Sequence, residues 1–196
     1  MSRTLLAVAS AVVALAAAAA AAAGARTERV VFFPFRGSLV APAIQVEKSV
    51  RGSCSYGSEF ATRWDAWSCT ASGGRRYDPC FSGRRTGAGA QLVCMESPWS
   101  NATLLELTRP LPQALANVVG DPRVHAPWAL TLATGERCAL VRRRLGTIGG
   151  EPVNYACAGS AVLVGLPARG SPVWTIKRAA TIRAKARPAA IRRAWW

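Results

Sequence analysis

Cys54-SYGSEFATRWDAWS-Cys69-TASGGRRYDP-Cys80-FSGRRTGAGAQLV-Cys94 holds four of the 6 cysteines in the chain, spaced among Gly, Ser and Trp. The other two, Cys138 and Cys157, lie downstream of a Pro-rich section. An even count at short spacings reads as a disulfide framework that staples short strands and loops. Six cysteines permit about 15 pairings. Sequence order suggests neighbours, Cys54 with Cys69, Cys80 with Cys94 and Cys138 with Cys157. Each pair then closes a loop of roughly 15 to 20 residues, for which the chain-entropy model gives about 3 kcal/mol. With no CxxC and a single His, zinc ligation has little support, and neither a metal nor a cofactor is expected.

That framework needs an oxidising compartment. Met1 to Ala25 reads as a secretory signal: Arg3, an apolar run from Leu5 to Ala23, then Ala23-Gly24-Ala25 as a small-x-small cleavage site. Cleavage is expected after Ala25. The rival reading is an uncleaved membrane anchor, which the alanine-rich run favours less because alanine partitions weakly into lipid. No cysteine sits at the cleavage site and Arg3 stands alone, so neither a lipoprotein nor a twin-arginine signal is indicated. The remainder divides into an N-terminal arm (26–42) and a single disulfide-stabilised β domain (43–196), long enough for a real core.

The net charge of +15 arises from 25 basic and 10 acidic residues, and Arg supplies all of the basic set except Lys48, Lys177 and Lys185. Such an excess permits binding to anionic polymers, lipid headgroups or nucleic acid without demanding any of them. An Arg bias beside abundant Ala and Gly is also what a GC-rich genome writes. Basic clusters occur at Arg75-Arg76, Arg84-Arg85 and Arg142-Arg143-Arg144.

Short strands account for the pattern along the chain. Val30-Val31-Phe32-Phe33-Pro34-Phe35 reads as an edge strand tucked onto the core rather than a free arm, because an exposed Phe cluster invites aggregation. Ile44, Val46 and Val50 alternate with polar residues into Cys54. Gln91–Cys94 and Thr103–Thr108 read as strands, and Gln113–Val118 as one or two helical turns. Trp128, Leu130 and Leu132 begin a hairpin through Thr134-Gly135, and a second flanks Gly149-Gly150. Ala161–Val164 and Val173–Ile176 are further strands, separated by Gly165-Leu166-Pro167 and Gly170-Ser171-Pro172. The basic tail from Lys177 to Trp196 reads as a final hairpin in which Ile182 and Ile191 point inward and the terminal Trp pair closes the core. Strands at roughly ten-residue spacing predict an all-β fold, a small disulfide-stabilised sandwich or barrel-like domain built of short hairpins.

Gly52-Ser53-Cys54, Asp65-Ala66-Trp67-Ser68-Cys69, Tyr77-Asp78-Pro79-Cys80-Phe81, Trp128-Ala129-Leu130 and Asn154-Tyr155-Ala156-Cys157 together resemble a group of secreted, cysteine-rich actinobacterial proteins of unknown function. The resemblance runs from about Val50 to Ile176. Ser55 departs from it where an aromatic is expected. It implies export and the disulfide framework and brings no activity.

Catalytic groups are few. A Ser-His-Asp triad would need His125, which sits in a proline-bounded loop with no GxSxG element, so no catalytic residue is assigned. Asp65 and Asp78 are the acids that a secreted hydrolase would use, as paired carboxylates near Trp64, Trp67 and Tyr77. Structural roles compete: a turn at Asp78-Pro79, and a pairing of Asp65 with a nearby Arg. Trp64, Tyr77, Arg75, Arg76 and Trp99 are the candidate ligand-binding residues, with Trp64 and Trp99 exposed, whereas Trp67, Trp128 and Trp174 are expected in the core. The reading is an exported, non-catalytic binding or interaction protein whose partner is an anionic envelope polymer or another extracellular protein. No specific nucleic acid is expected, and membrane contact only through an uncleaved signal segment. The alternatives are the hydrolase or a cationic membrane- or nucleic-acid-binding protein.

Overall fold

Alternating apolar residues between Gly and Pro turns form strands and no helix among the described residues. The structure, a computed structural model, describes residues 26–112, 126–141, 143 and 145–196. The expected signal segment, the helical turn at Gln113–Val118, His125, Arg142 and Arg144 lie outside the described residues.

The arm supplies β1 (Glu28–Val30), β2 (Phe35–Arg36) and β3 (Leu39–Val40). The cysteine-rich half supplies β4 (Val46–Gly57), β5 (Ala66–Ala71), β6 (Arg76–Ser82), β7 (Gln91–Cys94) and β8 (Ala102–Leu107). There follow β9 (Ala129–Leu132), β10 (Arg137–Leu140), β11 (Thr147–Ile148), β12 (Glu151–Cys157), β13 (Val162–Ala168), β14 (Thr175–Ala179) and β15 (Arg187–Trp195).

Strands β4 to β8 close into a barrel of antiparallel neighbours, sealed where β4 and β8 run parallel. The long β4 serves two partners: residues 46–52 pair with β8, and residues 52–57 with β5. Gly52 is the crossover. A Cβ there would lie 2.4 Å from the Thr70 carbonyl oxygen and 2.9 Å from Ala71 Cα, so the two strands approach only because position 52 has no side chain.

The second sheet runs β15-β14-β13-β12-β10-β9 and returns from β9 to β15. β15 divides its length, giving residues 187–190 to β14 and residues 191–195 to β9. β1 lies parallel to residues 193–195, so the arm is tied to the last strand. Phe32 is buried beside it, whereas Val31 and Phe33 are 53% and 65% exposed.

Each disulfide joins residues directly opposite one another across one antiparallel strand pair: Cys54–Cys69, Cys80–Cys94 and Cys138–Cys157. All five strands of the first barrel contribute to a core around Trp67, Leu92, Leu105 and the first two disulfides. The second barrel is filled by Leu130, Leu132, Tyr155, Leu163, Ile176 and Ile191. Between them lies a third layer, where Phe32, Phe81 and Trp128 meet with ring centroids 5.2 to 5.6 Å apart. β9 therefore buries both faces: Leu130 and Leu132 face one core and Ala129 the other.

Three expectations are corrected. Gly165-Leu166-Pro167 does not separate strands, because Gly165, at φ +71°, lets β13 kink and continue to Ala168 through a register shift. Ile182 lies in the β14–β15 turn and is 39% exposed, while Ile191 is buried. Trp174 is only half-buried: its ring meets Trp196 edge-on at 5.7 Å under the guanidiniums of Arg29 and Arg169.

Candidate functional site

β6 carries Tyr77 and Asp78 inward, and the chain leaving β4 folds over them. Asp78 Oδ1 accepts the Ser58 hydroxyl at 2.5 Å, and Oδ2 accepts the Glu59 N–H at 3.2 Å and faces Arg76 Nη2 at 3.5 Å. Ser58 Oγ in turn accepts the N–H groups of Phe60 and Ala61 at 3.0 and 2.9 Å. Its proton and its lone pairs are thus committed, which leaves it poorly placed as a nucleophile. Burial pushes the Asp78 carboxyl up to about 6, against the opposing pull of the Ser58 and Glu59 hydrogen bonds and the Arg76 charge.

Two clefts meet at Asp78 and Glu96. The first, of about 280 Å³, is polar, with Lys48, Arg75, Tyr77, Asn101 and Thr103 on its walls. The second, of about 370 Å³, is walled by Phe60, Trp128, Leu140 and Leu145, with Arg143 at its edge. Trp128 Nε1 is itself shielded from solvent and has no acceptor. Arg143 belongs to a basic run visible in the sequence, but nothing there marks Glu96 or sets either residue beside Asp78, because their meeting depends on how the two barrels dock.

Of the residues expected to bind ligand, Arg75 and Tyr77 share the first cleft, the guanidinium 5.3 Å from the ring centroid. Tyr77 is buried, so its ring is part of the wall rather than an open stacking face. Arg76 pairs with Glu59 at 2.7 Å and covers Tyr56. Trp64 is 77% exposed and stands apart from both clefts. Trp99 is not freely exposed: it is half-buried, edge-on to Trp195 at 5.8 Å, with Arg137 over its ring. The two acids nominated for hydrolysis also separate. Asp65 binds the guanidinium fork of Arg63 at 2.8 and 2.5 Å and lines neither cleft.

The charge has a clear geography. Glu28, Glu59, Asp65, Asp78, Glu106, Glu136 and Glu151 each face a Lys or Arg within 4.0 Å. The cationic excess therefore falls on other groups. A groove of about 500 Å³ on the β14–β15 hairpin has Ala180, Ala184 and Ala189 in its lining and Arg178, Lys185 and Arg187 as its charges. Arg178 is engaged by Glu136 at 2.5 and 3.0 Å. Among the described residues no carboxylate pairs with Lys185 or Arg187. Arg84 and Arg85 are exposed on the first barrel.

Glu136, Cys138 and Cys157 lie together, yet the two sulfurs form a disulfide and the carboxylate serves Arg178, so the group has no thiolate to give a metal. No helix among the described residues is long and apolar enough to cross a membrane. Three disulfides are typical of extracellular proteins. Comparison with protein-family models, curated proteins and solved structures finds no match.

Proposed function

We propose that this is an exported, non-catalytic binding protein of the cell envelope or extracellular space, and that it holds anionic polymers on its basic surface. The observation that carries the reading is the pairing pattern. Most described carboxylates are spent on neighbouring cations, while Lys185 and Arg187 face a groove floored by alanine with no acid in its lining. Small floor residues let a polymer backbone approach closely, and unpaired cations attract its charges without reading sugar or sequence. Three disulfides between neighbouring strands support export, as does the resemblance to secreted actinobacterial proteins.

The test is binding of polyphosphate and of polygalacturonate, with neutral dextran as control, over a salt series. Lys185→Glu with Arg187→Glu should weaken binding at least tenfold, and more than Arg84→Glu with Arg85→Glu. Equal losses from the two double variants, or equal binding of dextran, would sink the reading. A salt slope identical for duplex DNA would favour the cationic nucleic-acid alternative instead.

A second reading has one observation in its favour. Asp78, raised to about 6, and Glu96 line the same clefts, and sugar hydrolysis uses one protonated and one ionised carboxyl. Against it, the Asp78 carboxyl is 1% exposed and both oxygens are engaged. A hydrolytic activity abolished by both Asp78→Asn and Glu96→Gln would establish it.

A further inference from the structure

The groove on the β14–β15 hairpin is also the mouth of the second barrel. Arg178 stands directly opposite Leu163 on β13 and Arg187 on β15, and residues opposite one another on paired strands project to the same face. That face is the interior one, because Leu163, Ile176 and Ile191 fill the barrel core. Arg178 and Arg187 therefore extend the inward-facing rows at the end of the barrel, and Lys185 joins them in the groove lining. Like charges directly opposite destabilise a strand pair. Glu136 relieves only one of the two. It reaches across from the loop before β10 and takes Arg178 Nε and Nη2 at 2.5 and 3.0 Å, leaving Nη1 without an acceptor among the described residues. Lys185 and Arg187 are exposed and have no carboxylate partner among those residues.

From this we infer that the barrel mouth is a phosphate site, in which Arg178, Lys185 and Arg187 together hold a terminal or monoester phosphate of an anionic polymer. The inference rests on the polymer reading above and narrows its ligand from anions in general to phosphates. The reason lies in the number and placement of the donors. A carboxylate is planar, carries one negative charge and is used up by a single guanidinium fork. A phosphate monoester offers three oxygens around a tetrahedral centre and about −1.5 to −2 charges. It can accept from β14, from β15 and from the turn between them at once. Three cations against the one carboxylate of Glu136 leave two positive charges at the mouth, which a monoester phosphate neutralises. Leu163, Ile176 and Ile191 fill the barrel below, so the site is shallow and takes a head group without threading a chain. Ala180, Ala184 and Ala189 leave about 500 Å³ for it, and barrel mouths are a common place for ligand sites.

Pyrophosphate is the probe and citrate, of similar charge at neutral pH, the control, followed by the backbone amide resonances of the ¹⁵N-labelled protein. The amides of Ala180, Lys185 and Arg187 should shift saturably with pyrophosphate, and citrate should bind about tenfold more weakly. Arg187→Lys keeps the charge at an exposed position and removes the planar fork. It should weaken pyrophosphate binding about tenfold and leave polygalacturonate binding as in the wild type. Diffuse attraction would treat the two anions alike. No saturable shift at millimolar pyrophosphate overturns the inference. So does equal affinity for citrate, or an equal effect of Arg187→Lys on both ligands, and if polygalacturonate still binds, the polymer reading stands without it. Saturable pyrophosphate binding with no binding of either polymer keeps the phosphate site and removes the polymer reading. Capture of phosphatidic acid vesicles in preference to polyphosphate would overturn the polymer as the source of that phosphate.

Discussion

Arg63 and Asp65, two residues apart, form a nearly buried fork-to-fork ion pair, with side chains 10% and 6% exposed. The guanidinium has a further task. Its Nη1 donates to the carbonyl oxygens of Phe32 and of Trp196, the latter at 3.0 Å. One arginine in the first barrel thus clamps the N-terminal arm and the end of β15, and Asp65 holds it in position. Breaking a buried pair by removing one partner leaves the other charge desolvated and uncompensated. Asp65→Ala should cost about 3 to 5 kcal/mol in urea unfolding. It should also expose the arm to chymotrypsin at Phe32 and Phe33 under native conditions, an effect a purely local defect would not produce.

Phe81 is fully buried at the meeting of the arm, β6 and the segment before β9, in contact with Phe32 and Trp128. Phe81→Ala should destabilise by about 3 to 5 kcal/mol, the usual cost of emptying an aromatic site. Because the layer is shared, hydrogen exchange should accelerate in both barrels. Acceleration confined to β4–β8 would mean that the barrels are held together elsewhere.

Gly52 is expected to accept no larger residue. Its neighbours at 2.4 and 2.9 Å are backbone atoms of β5, which cannot rotate away as a side chain can. Gly52→Ala should lower stability by about 3 kcal/mol, at the upper end of ordinary overpacking, whereas Gly73→Ala, with open space around it, should change little. Urea midpoints of the two variants decide the point.

Asp78 gives a pH signature. Its folded carboxyl titrates at about 6 against an ordinary value of 3.8, so between those values the folded state binds more protons than the unfolded one. Stability from this group is therefore fully present below pH 3.8 and lost as pH rises to about 6. Asp78→Asn removes the titration while keeping an acceptor for Ser58. Relative to wild type, the variant should gain about 2 to 3 kcal/mol between pH 4 and pH 7, read from urea midpoints across that range. A difference that does not vary with pH would show that the carboxyl titrates normally.

The three disulfides bridge sequence separations of 15, 14 and 19, so the chain-entropy model assigns them similar weights of about 3 kcal/mol each. Cys138→Ser with Cys157→Ser and Cys80→Ser with Cys94→Ser should therefore lower the urea midpoint by comparable amounts. A much larger loss from the second pair would place extra weight on the inter-barrel layer that Cys80 adjoins through Phe81.

Local patterning of residues specifies the short units of this fold. Period-two alternation beside Gly-bearing turns specified hairpins such as β9–β10 through Gly135 and β11–β12 through Gly149-Gly150. Consecutive cysteines face each other because each pair sits on neighbouring antiparallel strands close in sequence, Cys54–Cys69 and Cys80–Cys94 on hairpins and Cys138–Cys157 on β10 and β12 with β11 between them along the chain. The Arg63–Asp65 pairing was likewise within reach of local reasoning, since only one residue separates them. Tertiary structure decided what depends on distant segments meeting. The parallel closures of β4 with β8 and of β1 with β15 join chain segments with no turn between them to signal the pairing. Trp99 looked free after Ser97-Pro98 and is covered by Trp195 from the other barrel. The clefts at Asp78, Glu96, Trp128 and Arg143 belong to the same class. Alternation states that a side chain leaves one face of a strand; only the docking of two barrels determines whether that face meets water, a core or a ligand.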